Sequence, residues 1–195
     1  SKGVDKALEF YKQHPDETLI IVTGDHETGG LTIGYAGTDY DTYLTNLKNQ
    51  KLSYAKFDSD YVSKYKENNT SFSAVLKDVK RLFGLMTADD KDAEKNPNLV
   101  LTEYEYNKLK AAYDKSMSGE KVESQEEYLL YGSYEPLTVT ITHLLNNKSG
   151  VNFASYAHTG LPVAVYAKGA GASLFNGYYD NTKIYDKLAA LTGVK

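Results

Sequence analysis

Three residues of this chain have side chains and settings suited to holding a divalent metal: Asp25, His26 and His158. The first two lie in Thr23-Gly24-Asp25-His26-Glu27-Thr28-Gly29-Gly30, directly after the β-branched run 18–22. A carboxylate beside an imidazole is a donor pair for Zn²⁺, and the flanking glycines let the backbone turn sharply around an ion. His158-Thr159-Gly160 follows a stretch that reads as extended and precedes a second short apolar run. Taken singly, each phrase also suits an ordinary polar turn or a structural histidine. The two histidines lie 158 − 26 = 132 positions apart, so a common site would have to be assembled by folding.

The elements that must position these residues can be read from periodicity. Val4, Ala7, Leu8 and Tyr11 recur at helical spacing, and His14-Pro15 ends that helix. Thr18-Leu19-Ile20-Ile21-Val22 reads as a short strand buried on both faces, and residues 31–35 can form another. From about 37 to 135 the chain is rich in tyrosine and charge and reads mostly as helices. Tyr40, Tyr43, Leu44 and Leu47 share one face, as do Phe72, Val75, Leu76, Val79 and Phe83. Thr102 and Glu105 have capping-box spacing. Residues 137–145 fit a helix, although Thr138-Val139-Thr140-Ile141-Thr142 also alternates like a strand. Residues 162–167 read as a buried strand, and a final helix from about 181 should bury Ile184, Leu188 and Leu191. The fold class expected is therefore α/β: a partial sheet flanked by helices in core segments 1–36 and 136–195, with 37–135 as a helical insertion.

Composition narrows the function classes. The 195 residues are 41% hydrophobic and 25% charged, ordinary values for a globular domain. A net charge of −4 without a basic block argues against a nucleic-acid partner. The absence of cysteine excludes disulfides and thiolate metal sites. No apolar run approaches the roughly 20 residues of a membrane span. Gly169-Ala170-Gly171-Ala172 lacks the Lys-Ser/Thr ending of a phosphate-binding P-loop.

Taken together, the phrases Val-Thr-Gly-Asp-His-Glu-Thr-Gly-Gly (22–30), Tyr-Ala-His-Thr-Gly (156–160), Pro-Val-Ala-Val-Tyr-Ala-Lys-Gly (162–169) and Phe-Asn-Gly-Tyr-Tyr-Asp-Asn-Thr (175–182) strongly resemble alkaline phosphatases. The resemblance covers about 1–35 and 136–195; the middle stretch sits where that family carries a variable, crown-like insertion. Gly24 departs from the alanine found in many members. The resemblance implies hydrolysis of phosphate monoesters through a phosphoserine intermediate, with two zinc ions and usually a magnesium ion. It implies that Asp25 and His26 are ligands of the zinc that activates the serine, and that His158 is a ligand of the other zinc. Thr23, Glu27, Thr28 and Thr159 would shape the loops around them.

The same resemblance implies that the chain is a C-terminal portion of the family fold. The family's Asp-Ser-Ala nucleophile phrase does not occur; Asp58-Ser59-Asp60 is a superficial echo, and the single arginine, Arg81, falls in the insertion. The magnesium ligands and the remaining zinc ligands would lie outside these residues. The chain alone is expected to hold zinc poorly and to be inactive. Periplasmic or secreted location and a homodimer are further implications of the resemblance. The alternatives are a related sulfatase or phosphodiesterase, or a non-catalytic binding or assembly module using the tyrosine-rich segment. His14 and His143 read as structural.

Overall fold

The computed structural model describes residues 1–194. In chain order the elements are α1 (Lys2–Gln13), β1 (Leu19–Val22), β2 (Thr32–Ile33), α2 (Tyr54–Phe57), α3 (Ser63–Asn68), α4 (Phe72–Phe83), α5 (Glu103–Ser118), α6 (Gln125–Tyr131), α7 (Pro136–Lys148), β3 (Val151–Asn152), β4 (Tyr166–Gly169) and α8 (Lys183–Thr192). The fold is α/β, rich in helix with two small antiparallel sheets. The chain divides into two compact units, one made of Ser1–Gly30 and the segment from Ala157 onward, the other of Leu31–Tyr156.

In the first unit β1 pairs antiparallel with β4, in the register Leu19↔Gly169 to Val22↔Tyr166. Helix α1 packs on β1 along the expected face: Val4, Ala7, Leu8 and Tyr11 are half-buried. Three expectations change here. β1 is half-buried rather than buried on both faces, since a two-stranded sheet has one ladder partner and little to cover it. The second strand begins at Tyr166 rather than at 162, and its residues alternate between exposed and half-buried. Helix α8 buries none of its residues, so Ile184 is half-covered and Leu188 and Leu191 are exposed. Among the described residues, Phe175, in a 3₁₀ turn after β4, is the one large side chain of this unit that is buried.

The second unit carries the main core. Phe57, Val75, Val79, Phe83, Leu109, Leu137, Ile141 and Leu145 are all at most 2% exposed and form one cluster built from α2, α4, α5 and α7. Helix α4 follows its sequence pattern closely, with Phe72, Val75, Val79 and Phe83 buried and Leu76 packed at the edge. The segment near 40–49 does not: it forms a 3₁₀ helix, Leu44–Asn49, and Tyr40 projects into solvent. Thr102 and Glu105 form the reciprocal capping box that opens α5.

Helix α7 settles the helix-or-strand ambiguity of 137–145. Residues 137–141 are buried without a break, followed by Leu144 and Leu145, so the segment is enclosed on every side. A helix surrounded by other helices needs no polar face, and the alternating threonines therefore carry no strand information. Pro136 at the first helical position and Glu135, whose side chain accepts from the Thr138 N–H at 3.0 Å, start it as a helix. Thr138 Oγ1 also donates to Asp58, the first residue of a π-helical turn, Asp58–Val62. β2 and β3 pair antiparallel beside this helix's end.

Many of the 18 tyrosines occupy this unit's polar–apolar boundary. Tyr65 donates to Asp78 Oδ2 at 2.9 Å and Tyr113 to the Thr70 carbonyl at 2.7 Å, while their rings pack into the core. His143 stacks on Tyr156 at 5.9 Å between centroids, and burial, aided by Lys108, holds its imidazole below the usual range. It is a packing residue. Among the described residues no helix is long and apolar enough to cross a membrane.

Two outcomes follow for the larger unit. Ile141→Ala should lower unfolding free energy by about 2–5 kcal/mol, whereas Leu129→Ala, at an exposed position, should change it by less than about 0.5 kcal/mol, both read from urea denaturation. Burial, reinforced by the nearby Glu135 carboxylate and opposed by the Thr138 bond and Lys66, pushes the Asp58 carboxyl above its ordinary 3.8. A raised folded value means the native state binds the proton more tightly, so Asp58 costs stability as pH rises from about 3.8 through that value. The urea midpoint of the wild type minus that of Asp58→Asn should therefore fall across that window and be level above it.

Candidate functional site

The β1–β4 register sets where the site loops meet. Because the strands are antiparallel and Val22 lies opposite Tyr166, the chain leaving β1 and the chain entering β4 are at the same end of the ladder. The first carries Asp25 and His26, the second His158. The structure brings all three together. The imidazoles of His26 and His158 stack with centroids 3.4 Å apart and planes 21° from parallel. Asp25 Oδ2 is 3.5 Å from His26 Nε2.

Local hydrogen bonds orient these groups. The His26 N–H donates to Asp25 Oδ1 at 3.0 Å, turning the carboxylate back over its own loop. His26 Nδ1 is 2.5 Å from the Glu27 carbonyl oxygen. A carbonyl can only accept, so Nδ1 carries a proton, and Nε2 is the ring nitrogen that faces Asp25. The main-chain N–H groups of Asp25 and His26, then the imidazole charge of His26 and of His158, hold the Asp25 carboxyl below the usual carboxylate range. It is 88% exposed and stays ionised at neutral pH.

This donor set fits zinc in its chemistry. Tetrahedral Zn²⁺ with bonds of about 2.0–2.2 Å places neighbouring donor atoms about 3.3–3.5 Å apart, close to the Asp25–His26 separation. An imidazole that donates Nδ1–H to a backbone carbonyl while offering Nε2 is the usual arrangement of a metal-bound histidine. The set is incomplete as it stands: no group of three or more His, Asp or Glu side chains able to hold a metal ion occurs among the described residues.

The residue whose part sequence reasoning left unassigned is Glu27. Its Oε2 accepts from the Gly30 N–H at 2.5 Å, and its Oε1 accepts from the Thr159 N–H. Gly29 and Gly30 both have positive φ, 66° and 64°, which folds their backbone around that carboxylate. Desolvation alone would raise the Glu27 carboxyl, but hydrogen bonds from Thr159 and Gly30 outweigh it and hold it below its ordinary value. The sequence marked it only as one of four loop-shaping residues, with Thr23, Thr28 and Thr159. Gly24 has a local role as well: a Cβ there would lie 3.2 Å from the His26 carbonyl oxygen and 3.8 Å from Val163 Cγ1.

The other sequence echoes are engaged elsewhere. Ser59 Oγ bonds Asp60 and the Lys56 carbonyl, and Arg81 pairs with Asp78 at 2.6 Å and with the Tyr61 hydroxyl. Neither arrangement offers an activated nucleophile or a free guanidinium.

Comparison with known proteins assigns the fold and loops to a class. Residues 1–194 match the family model for alkaline phosphatase. The chain belongs to the alkaline phosphatase family. Among curated proteins it is similar to Alkaline phosphatase 3 of Bacillus subtilis (strain 168), 26% identical over 178 residues, and to Alkaline phosphatase 4 of the same organism, 29% identical over 178 residues. These alignments take in 91% and 90% of the chain but 30% of each relative's length. Among solved structures it resembles a cold-active alkaline phosphatase from the psychrophile Shewanella sp., with a TM-score of 0.64 and 25% identity, covering 96% of this chain and 37% of that one.

The ladder that aligns the two loops can be tested at Gly169. Its φ of 107° lies outside the range of L side chains, and a Cβ there would overlap the Thr18 carbonyl oxygen, which accepts the Ala170 N–H at 2.9 Å. Gly169→Ala should destabilise β1–β4 pairing by at least about 1–3 kcal/mol. Amide exchange should accelerate across residues 19–22 and 166–169 and stay unchanged in α4 and α7.

Proposed function

We propose that this chain forms part of the active centre of a zinc-dependent phosphomonoesterase. The observation that carries the reading is the convergence of Asp25, His26 and His158 from two distant loops, in a chain that belongs to the alkaline phosphatase family. In it, Asp25 and His26 would hold the zinc that activates the serine nucleophile, and His158 would be a ligand of a second zinc. Bound there, zinc supplies Lewis-acid stabilisation of the attacking and leaving oxygens of phosphoryl transfer.

The chain's own contribution is to pre-set those donors. Asp25 stays ionised because main-chain N–H groups and the two imidazoles favour its charge. His26 is fixed in one tautomer by the Glu27 carbonyl. The 195 residues contain no Asp-Ser-Ala phrase, so in this reading the serine, the magnesium ligands and the remaining zinc ligands come from other residues. A site with two donors for one ion and one for the other should bind zinc weakly and turn over little, since catalytic zinc takes about three protein ligands. Phosphate monoesters are the proposed substrates, with homodimer assembly and work outside the cytoplasm as parts of the same proposal.

The test is zinc content by elemental analysis with hydrolysis of a chromogenic phosphate monoester, on this chain and on the full-length protein. Zinc and turnover should be present in the full-length protein and low in the chain alone. Asp25→Ala or His158→Ala in the full-length protein should lower turnover at least about 10–100-fold with loss of bound zinc. Turnover that survives complete zinc removal would overturn the reading.

A further inference from the structure

Glu27 bonds to both loops of the candidate site without being one of its donors. Its main-chain carbonyl accepts from His26 Nδ1, its Oε2 accepts from the Gly30 N–H at the end of its own loop, and its Oε1 accepts from the Thr159 N–H, next to His158. The last bond joins positions 132 apart in sequence and links the first loop to the second. We propose that Glu27 is a positioning residue that locks the His158 loop against the Asp25–His26 loop and so sets the spacing of the two imidazoles. This rests on the reading of Asp25, His26 and His158 as metal ligands only for its consequence in zinc affinity; the loop-locking itself is independent of it.

The chemistry requires a carboxylate of this length. Two main-chain N–H groups arrive from different directions, and both need an acceptor. A carboxylate offers two acceptor oxygens, each able to take an N–H. A glutamine offers one oxygen and turns an NH₂ toward the other N–H, donor against donor. An aspartate is one methylene shorter and cannot span both partners. Without either bond, the Thr159 N–H loses its partner and nothing in the Glu27 side chain holds the His158 ring over His26. Charge-assisted bonds to backbone N–H groups are the stronger class, which suits a contact closing a loop this long.

The experiment compares the full chain with Glu27→Ala, Glu27→Gln and Asp25→Ala. One readout is zinc chloride titrated calorimetrically; the other is the nuclear Overhauser contact between the His26 and His158 rings, with the amide protection of residues 19–22 and 166–169 as the folding control. Glu27→Ala should abolish the ring contact while the strand amides stay protected, and should weaken zinc binding about 10–100-fold. Glu27→Gln, which keeps one acceptor, should fall between wild type and Glu27→Ala, and it decides the matter if Glu27→Ala loses strand protection. A ring contact that persists in these variants overturns the proposal, whatever zinc does. If Asp25→Ala leaves a measurable zinc affinity unchanged, the metal reading loses support; if the wild-type chain binds zinc too weakly to titrate, as expected of an incomplete donor set, the ring contact alone judges Glu27.

Discussion

Antiparallel pairing of β1 with β4, two four-residue strands separated by most of the chain, is the contact on which the candidate site depends. Closing a loop of that length carries an entropic cost that grows slowly with length, so a short ladder can sustain it if neighbouring contacts share the load. Here α1 lies on β1, the Ala170 N–H extends the bonding to Thr18, and Lys168 reaches over the Tyr11 ring. Once the register is set, the exit of one strand and the entrance of the other face the same way. The two loops are then close enough for the Glu27 carboxylate to clamp one to the other.

The two units solve different physical problems. Leu31–Tyr156 has a conventional core, with α7 enclosed by α4, α5 and the π-helical turn, and with helix caps and tyrosine hydroxyls bonding polar groups at its edge. The unit with the site holds itself together by backbone pairing, turns and half-covered side chains. Phe10, Val22, Tyr166, Leu174, Leu188 and Leu191 all retain substantial exposure there. Stability should therefore be uneven along the chain, with the site loops belonging to the less protected unit.

The electrostatics of the site follow from its backbone. Asp25 is ionised because N–H groups and imidazoles face it, and Glu27 because two N–H groups bind it, although among the described residues neither carboxylate has a lysine or arginine hydrogen-bonded to it. Negative charge is thus collected beside two histidines with little basic counter-charge, a setting that favours a divalent cation.

The sequence alone determined the family and nominated Asp25, His26 and His158 as candidate site residues, because they sit in phrases whose residue types and order are distinctive. It also determined helices whose apolar period is clean, such as α1 and α4, and the caps at Thr102 and Glu105. Tertiary structure decided the rest. A strand and a fully enclosed helix both tolerate continuous β-branched residues, so 137–145 became a helix only because other helices surround it. The apolar face of α8 remains largely uncovered because nothing in its own unit packs fully over it, and burial is a property of neighbours rather than of pattern. Glu27 is the plainest case. No periodicity marks a carboxylate whose partners are two main-chain N–H groups, one of them 132 residues away, and its role exists only once the strands have paired.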